Sequence, residues 1–127
     1  MWKILQYKYP EDWVIATGKT TTIRDFVIMA FGYIGIELEF FGQGINEKGV
    51  VKSCANDEYK LELGKEVISI DPSYFRPTEV DVLIGDSSKA KNKLNWAPRY
   101  NLQDVVNDMM QSDLKLMQDK KNLKRFK

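Results

Sequence analysis

The fold is decided by the sequence WVIATGKTTTIRDFVIMAFGYIGIELEFF, which occupies residues 13–41. It opens with a continuous apolar run at residues 13–16, which is typical of a buried parallel strand. Residues 38–41 predict a second strand. The segment between them carries apolar residues at helical spacing and predicts an amphipathic helix that ends at Gly35. A strand, a helix and a strand in this order indicate a crossover unit of an α/β fold.

The start of this helix and the flanking segments carry weaker local signals. Thr22 and Asp25 are spaced as in a capping box, so we expect the helix to begin after Thr22. Residues 1–9 predict the last turns of a helix ended by Pro10. Residues 42–66 are polar and rich in glycine, which predicts a loop or an irregular hairpin. Further short extended segments are predicted at Val50-Val51, residues 67–70 and residues 80–84.

Two more helices are predicted towards the end of the sequence. Ser87 or Ser88 can cap a short helix that bears Ala90 and Leu94, and Asn101 can cap the last one. The last helix is predicted to face inward through Leu102, Val105, Val106, Met109, Met110 and Met117. In total, three to four helices and a few short strands predict one mixed α/β domain over residues 1–127. This domain has too few strands to close its own sheet, so we expect it to be incomplete.

Composition excludes several classes of function. Nineteen basic and eighteen acidic residues give a net charge of +1, which provides no overall field to attract nucleic acid or an anionic membrane. Cys54 is the only cysteine and histidine is absent, so an internal disulfide and the usual Cys or His metal ligands are excluded. The free thiol, with no membrane-length apolar run and no leader, predicts a cytoplasmic protein.

Most of the candidate motifs have a simple structural explanation. The sequence Gly42-Gln43-Gly44 lacks the spacing and the following helix of a phosphate loop. The carboxylate pairs are expected to be solvated charges without convergent partners, and they are Glu11-Asp12, Asp57-Glu58 and Asp104/Asp108.

Arg76 and Glu79 differ, because they are charges inside an otherwise apolar, extended segment. Pro77 keeps Arg76 out of the helical region, so its side chain projects from a stiff backbone. A guanidinium presented in this way suits bidentate binding of phosphate oxygens, and a nearby carboxylate can accept hydrogen bonds from sugar hydroxyls. An ordinary Arg–Glu ion pair is the alternative, and spacing alone favours it because surface ion pairs are common.

Several segments, in this order, resemble the GDP-mannose 4,6-dehydratase family. They are PEDWVIATG at residues 10–18, GQGINEKG at residues 42–49, DPSYFRPTEVD at residues 71–81 and GDSSKAKNKLNWAP at residues 85–98. The last of these is similar to many extended short-chain dehydrogenases that act on nucleotide sugars. The FRPTEV sequence, with the PED…ATG segment before it, points to the GDP-mannose enzyme.

The resemblance implies a lyase that removes water from GDP-mannose to give GDP-4-keto-6-deoxymannose, the precursor of GDP-fucose. In this family an N-terminal Rossmann part holds NADP, which takes a hydride from C4 of the sugar and returns it at C6. A Thr, a Glu and a Tyr-x-x-x-Lys pair in that part do the chemistry, and the smaller C-terminal part holds the GDP. The resemblance therefore implies that Arg76 contacts the diphosphate and Glu79 a ribose hydroxyl, in an enzyme expected to be a homo-oligomer.

The sequence also departs from the family pattern. It contains no glycine-rich dinucleotide turn and no Tyr-x-x-x-Lys, and Met1-Trp2 resembles a point well inside the family's chain. We therefore expect a C-terminal fragment that lacks the Rossmann half, carries no catalytic residue and has no dehydratase activity alone. Two alternatives stay open at this point. The chain can be a piece of a related nucleotide-sugar epimerase or reductase, or a non-catalytic interaction protein.

Overall fold

The computed structural model describes the backbone of residues 1–76 and 83–125, with side chains as far as residue 122. The described residues fall into two compact units. The first unit contains residues 1–21 and 83–101, and the second contains residues 22–76 and 102–125.

The described part of the chain forms four helices and three strands. The helices are α1 (Trp2–Leu5), α2 (Ile23–Tyr33), α3 (Ser88–Leu94) and α4 (Leu102–Arg125), and the strands are β1 (Ile36–Phe41), β2 (Lys48–Cys54) and β3 (Glu66–Ser69). One 3₁₀ turn lies at Gly44–Asn46. The mixed α/β class with few strands is therefore confirmed. Neither α4 nor any other helix in these ranges has the length and apolar character that crossing a bilayer requires.

The second unit is built on an antiparallel sheet with the strand order β1-β2-β3. The ladder between β1 and β2 runs from Ile36 opposite Cys54 to Phe41 opposite Lys48. Helix α2 packs on β1 and on α4. Ile36 and Val51 are fully buried, so the core of this unit lies where the sheet meets the helices.

The prediction of a parallel crossover unit was wrong. The partner of β1 is β2, which follows it directly through the turn at residues 42–47, and the two strands are antiparallel. Residues 36–54 therefore form a hairpin whose second strand, β2, is longer than the predicted Val50-Val51, because a short turn brings the next extended segment back along β1. The strand predicted at residues 67–70 is confirmed as β3, shifted by one residue.

The boundaries of α2 were predicted correctly. The Thr22 hydroxyl oxygen accepts a hydrogen bond from the Asp25 N–H at 3.0 Å, which satisfies one of the free donors of the first turn. The same hydroxyl donates to the Asp25 carboxylate at 2.7 Å. The helix ends just before Gly35, whose φ of 73° is left-handed.

Helix α4 is confirmed, but its inward face is narrower than predicted. Val106 is fully buried, and Leu102 and Met110 on the same face are half-buried. Three of the residues predicted to face inward are instead exposed, and they are Val105, Met109 and Met117. The apolar residues of α4 form a stripe wide enough to pack against neighbours on two sides of the helix, and α2 covers only part of that stripe.

The first unit contains less regular structure than predicted. Helix α1 ends at Leu5, well before Pro10. Residues 13–16 form no strand within the described part of the chain, and Val14 and Ile15 are about half exposed. That prediction was wrong, because an apolar run becomes a strand only when a neighbouring strand accepts its backbone hydrogen bonds. Of the predicted segment 80–84, residues 80–82 lie outside the described residues, and 83–84 form no strand.

The extended segment at residues 14–16 nevertheless lies against the chain at Gly85. A Cβ atom added at Gly85 would lie 2.6 Å from the Ala16 Cβ and 3.3 Å from a methyl carbon of Val14. A side chain at position 85 would force these atoms apart, so glycine at this position permits the two segments to lie side by side.

Helix α3 begins with a different cap from the one predicted. Ser87 stands at the N-cap position, but its side chain makes no capping hydrogen bond. Instead, the Asp86 carboxylate accepts from the Ser88 N–H at 2.9 Å and from the Ser88 hydroxyl. These two bonds hold the pKa of Asp86 below its ordinary value, the hydroxyl contributing most. Ala90 and Leu94 are buried as predicted.

Candidate functional site

The hairpin turn, residues 42–47 between β1 and β2, is closed by its own backbone. The N–H groups of Asn46 and Glu47 donate to the carbonyls of Gln43 and Gly44, each at 3.1 Å. Gly42 has a φ of 83°, and a Cβ atom added there would lie 2.2 Å from the Asn46 carbonyl oxygen. The amides of Asn46 and Glu47 are therefore used within the turn.

The Asp71 turn, residues 71–75, follows β3 and is held by its own hydrogen bonds. The Asp71 carboxylate accepts from the Ser73 hydroxyl at 2.7 Å and from the Ser73 N–H at 2.9 Å. The N–H groups of Tyr74 and Phe75 donate to the carbonyls of Asp71 and Pro72 at 3.0 and 3.3 Å. The hydroxyl bond, followed by the backbone bond, holds the pKa of Asp71 below its ordinary value.

Of the two predicted binding residues, the structure describes Arg76. Arg76 directly follows the Asp71 turn in the chain, and it is exposed. Within residues 1–76 and 83–122, no hydrogen bond or ion pair engages its guanidinium. Glu79, the second predicted residue, lies outside the described residues. The predicted binding roles of Arg76 and Glu79 therefore stay a prediction, and so does the alternative ion pair between them.

The hairpin turn and the Asp71 turn lie close together in the second unit. A Cβ atom added at Gly44 would lie 3.8 Å from the Phe75 ring, which is ordinary van der Waals contact. The residue next to Arg76 therefore lies beside the hairpin turn.

An ion pair that the sequence did not predict fixes the other side of the hairpin turn. The Arg24 guanidinium donates through both Nε and Nη2 to one oxygen of Glu47, each at 2.6 Å. Arg24 also lies over the Phe40 ring, 5.7 Å from its centre. The two charged residues are 23 positions apart in sequence, so no local pattern could have indicated that they meet.

The first unit contains a second charged cluster that the sequence did not predict. Glu11 was expected to be solvated, but its carboxylate contacts the ammonium groups of Lys89 at 2.7 Å and Lys93 at 3.0 Å. The two lysines also lie over aromatic rings, Lys89 over Trp13 at 4.9 Å and Lys93 over Tyr7 at 5.7 Å. The cluster therefore joins residues 7–13 to α3.

The charges of this cluster shift each other's titration. Hydrogen bonds from Lys89 and then Lys93 hold the pKa of Glu11 below its ordinary value. The hydrogen bond to Glu11 in turn raises the pKa of Lys93. Because every cation in this cluster is already paired or stacked, we interpret it as structural.

These features define a small mixed α/β protein whose exposed Arg76 follows a compact turn that lies beside a hairpin. Comparison with known proteins identifies the family. Residues 1–109 match the family model described as GDP-mannose 4,6 dehydratase. The chain belongs to this family.

Named relatives agree with this assignment. The chain is 44% identical over 125 residues to a GDP-mannose 4,6-dehydratase of Vibrio cholerae serotype O1, which covers 98% of this chain and 34% of that protein. It is 44% identical to a GDP-mannose 4,6 dehydratase of Drosophila melanogaster, over 92% of this chain and 27% of that protein. It is 43% identical to the human GDP-mannose 4,6 dehydratase, over 96% of this chain and 30% of that protein. The chain thus spans about a third of the length of these relatives.

Proposed function

We propose that this chain supplies the GDP-sugar-binding part of a GDP-mannose 4,6-dehydratase. The observation that carries the proposal is the family match over residues 1–109, which includes the segment around Arg76. The Arg76 guanidinium is exposed and stands on a turn held by four hydrogen bonds. An exposed guanidinium next to a hydrogen-bonded turn is well suited to bind the oxygens of a diphosphate.

The individual contacts are part of the same proposal. Arg76 binds the diphosphate of the GDP-sugar, and Glu79 accepts a hydrogen bond from a ribose hydroxyl. Both roles follow from the family resemblance of the FRPTEV sequence at residues 75–80 and are supported by the exposure of Arg76. The relatives named above are GDP-mannose 4,6-dehydratases, which agrees with a GDP-sugar as the ligand.

The chemistry is assigned to the part of the family's proteins that this chain does not span. In the complete enzyme, water is removed from GDP-mannose to give GDP-4-keto-6-deoxymannose, on the route to GDP-fucose. The sequence has no Tyr-x-x-x-Lys and no glycine-rich dinucleotide turn, so NADP is assigned to the other part. The proposal includes a cytoplasmic homo-oligomer for the complete enzyme and no turnover of GDP-mannose by this chain alone.

Calorimetric titration of the purified chain with GDP, GDP-mannose and UDP tests the proposal. We expect the two GDP compounds to bind and UDP to bind more weakly. Arg76→Ala is expected to weaken GDP binding by roughly tenfold or more, since a charge-assisted bidentate contact contributes about 1.5–3 kcal/mol. Arg99→Ala, which removes another exposed arginine in the first unit, is the matched control and should leave the affinity unchanged. Equal losses in both variants would refute the role of Arg76.

A further inference from the structure

We infer that Arg24 is a positioning residue: through its ion pair with Glu47 it fixes the hairpin turn, which supports the Asp71 turn and so places Arg76. The inference rests on the proposed function for its ligand. The structural part of the inference, that Arg24 holds both turns, rests on the Arg24–Glu47 pair and on the closeness of Gly44 to the Phe75 ring.

The first step is the strength of the contact between Arg24 and Glu47. Both Nε and Nη2 of Arg24 reach the same carboxylate oxygen at 2.6 Å, which is short for a charge-assisted hydrogen bond. The Glu47 side chain is only 18% exposed, against 54% for Arg24. A carboxylate so far removed from water depends on its partner, because an unpaired charge in such a place is costly.

The helix that carries Arg24 does not explain why an arginine stands at this position. Arg24 lies in the first turn of α2, next to Asp25. Acidic residues such as Asp25 are favourable there, whereas a positive charge opposes the helix dipole. Arg24 therefore contributes to the structure through what it binds outside the helix, namely Glu47 and the ring of Phe40.

Glu47 and the hairpin turn lie between Arg24 and Arg76. Glu47 ends the hairpin turn, and its N–H closes that turn on the Gly44 carbonyl at 3.1 Å. Gly44 lies close to the Phe75 ring, since a Cβ atom added there would be 3.8 Å from it, and Phe75 is the direct neighbour of Arg76. The inferred path from Arg24 to Arg76 thus consists of one ion pair, one closed turn and the close approach of Gly44 to Phe75.

Hydrogen exchange and GDP titration of three variants test the inference. Arg24→Met removes the charge and keeps most of the side-chain length. Arg24→Lys keeps a cation that can still reach the single Glu47 oxygen. Glu66→Gln is the control, because it removes the Lys48–Glu66 pair of the same sheet, whose atoms are 2.7 Å apart and whose two residues are also partly exposed.

We expect Arg24→Met to speed amide exchange at Glu47 and at Phe75, and to weaken GDP binding about tenfold. Arg24→Lys should restore most of both properties, and Glu66→Gln should change neither. Unchanged exchange at Phe75 in Arg24→Met, or an equal loss of GDP affinity in Glu66→Gln, overturns the inference. If the unmodified chain does not bind GDP, the proposed function fails, and the exchange at Phe75 still decides whether Arg24 holds the two turns.

Discussion

Replacing Gly42 with alanine should destabilise the protein more than any other glycine substitution in the hairpin. Gly42 has a φ of 83°, where an alanine costs about 1–2 kcal/mol. The added Cβ would also lie 2.2 Å from the Asn46 carbonyl oxygen and 2.9 Å from its carbon. These are backbone atoms, so the turn must open to relieve the contact.

The expected magnitude follows from what the opening removes. The turn is closed by the two hydrogen bonds from the N–H groups of Asn46 and Glu47, and each contributes about 1 kcal/mol net. Adding the backbone cost gives a loss of about 3–4 kcal/mol for Gly42→Ala. This is a large share of the roughly 5–15 kcal/mol that stabilises a typical domain.

Urea denaturation of matched variants measures this loss and separates its two causes. Gly64 has a similar φ of 77°, but a Cβ atom added there has no described atom within 4 Å. Gly64→Ala should therefore lose only the backbone cost of about 1–2 kcal/mol. The reasoning is refuted if Gly42→Ala loses no more free energy of unfolding than Gly64→Ala, at equal denaturant slopes.

Three further predictions concern α2, the core and the charged cluster. Gly32→Ala should raise the free energy of unfolding by about 0.4–1 kcal/mol in a urea titration, because Gly32 is helical and a Cβ atom there has no described neighbour within 4 Å; a loss would contradict it. Ile36→Ala should cost about 2–5 kcal/mol in the same titration, since Ile36 is 1% exposed, and a loss below 1 kcal/mol would show that the site can collapse. Because the pKa of Glu11 is lowered in the folded protein, its carboxylate stabilises the fold above pH 4.5, which is its ordinary pKa. This stabilisation is lost as the pH falls below that value. On acidification, the melting temperature of the unmodified chain should therefore fall more steeply than that of Glu11→Gln. Parallel curves of melting temperature against pH would count against the pairing of Glu11 with Lys89 and Lys93.

The sequence predicted the elements whose signals are local. Thr22 and Asp25 are three positions apart, and Gly35 follows the last helical turn, so the limits of α2 depend on neighbouring residues alone. The burial of Ala90 and Leu94 on α3 likewise follows from helical spacing.

The failures concern partners that are distant in the sequence. Whether residues 13–16 form a strand depends on a neighbour that no local pattern specifies, and the direction of the sheet depends on which segment pairs with β1. The same reason explains why the Arg24–Glu47 and Glu11–Lys89 pairs were missed, since their members are 23 and 78 positions apart. Long-range contacts of this kind arise only when the chain has folded.

The role of Arg76 lies between these cases. Its exposure on a stiff segment was indicated by Pro77 in the sequence, and the structure shows Arg76 exposed beside a closed turn. The spacing alone favoured an ordinary ion pair with Glu79, and the family resemblance reversed that preference. A guanidinium makes the same kind of contact with a carboxylate as with a phosphate, so only ligand-binding measurements can distinguish the ion pair from the binding site.

Thermal unfolding of the purified chain with and without millimolar GDP-mannose, GDP and UDP tests the central claim most directly. A ligand at about a hundred times its dissociation constant stabilises the folded state by about 2.7 kcal/mol, which moves the midpoint by several degrees in a domain of this size. The account predicts that both GDP compounds raise the midpoint, that UDP has little effect, and that Arg76→Ala abolishes the rise. A cooperative transition that no nucleotide shifts would contradict the assignment of this chain as a GDP-sugar-binding part.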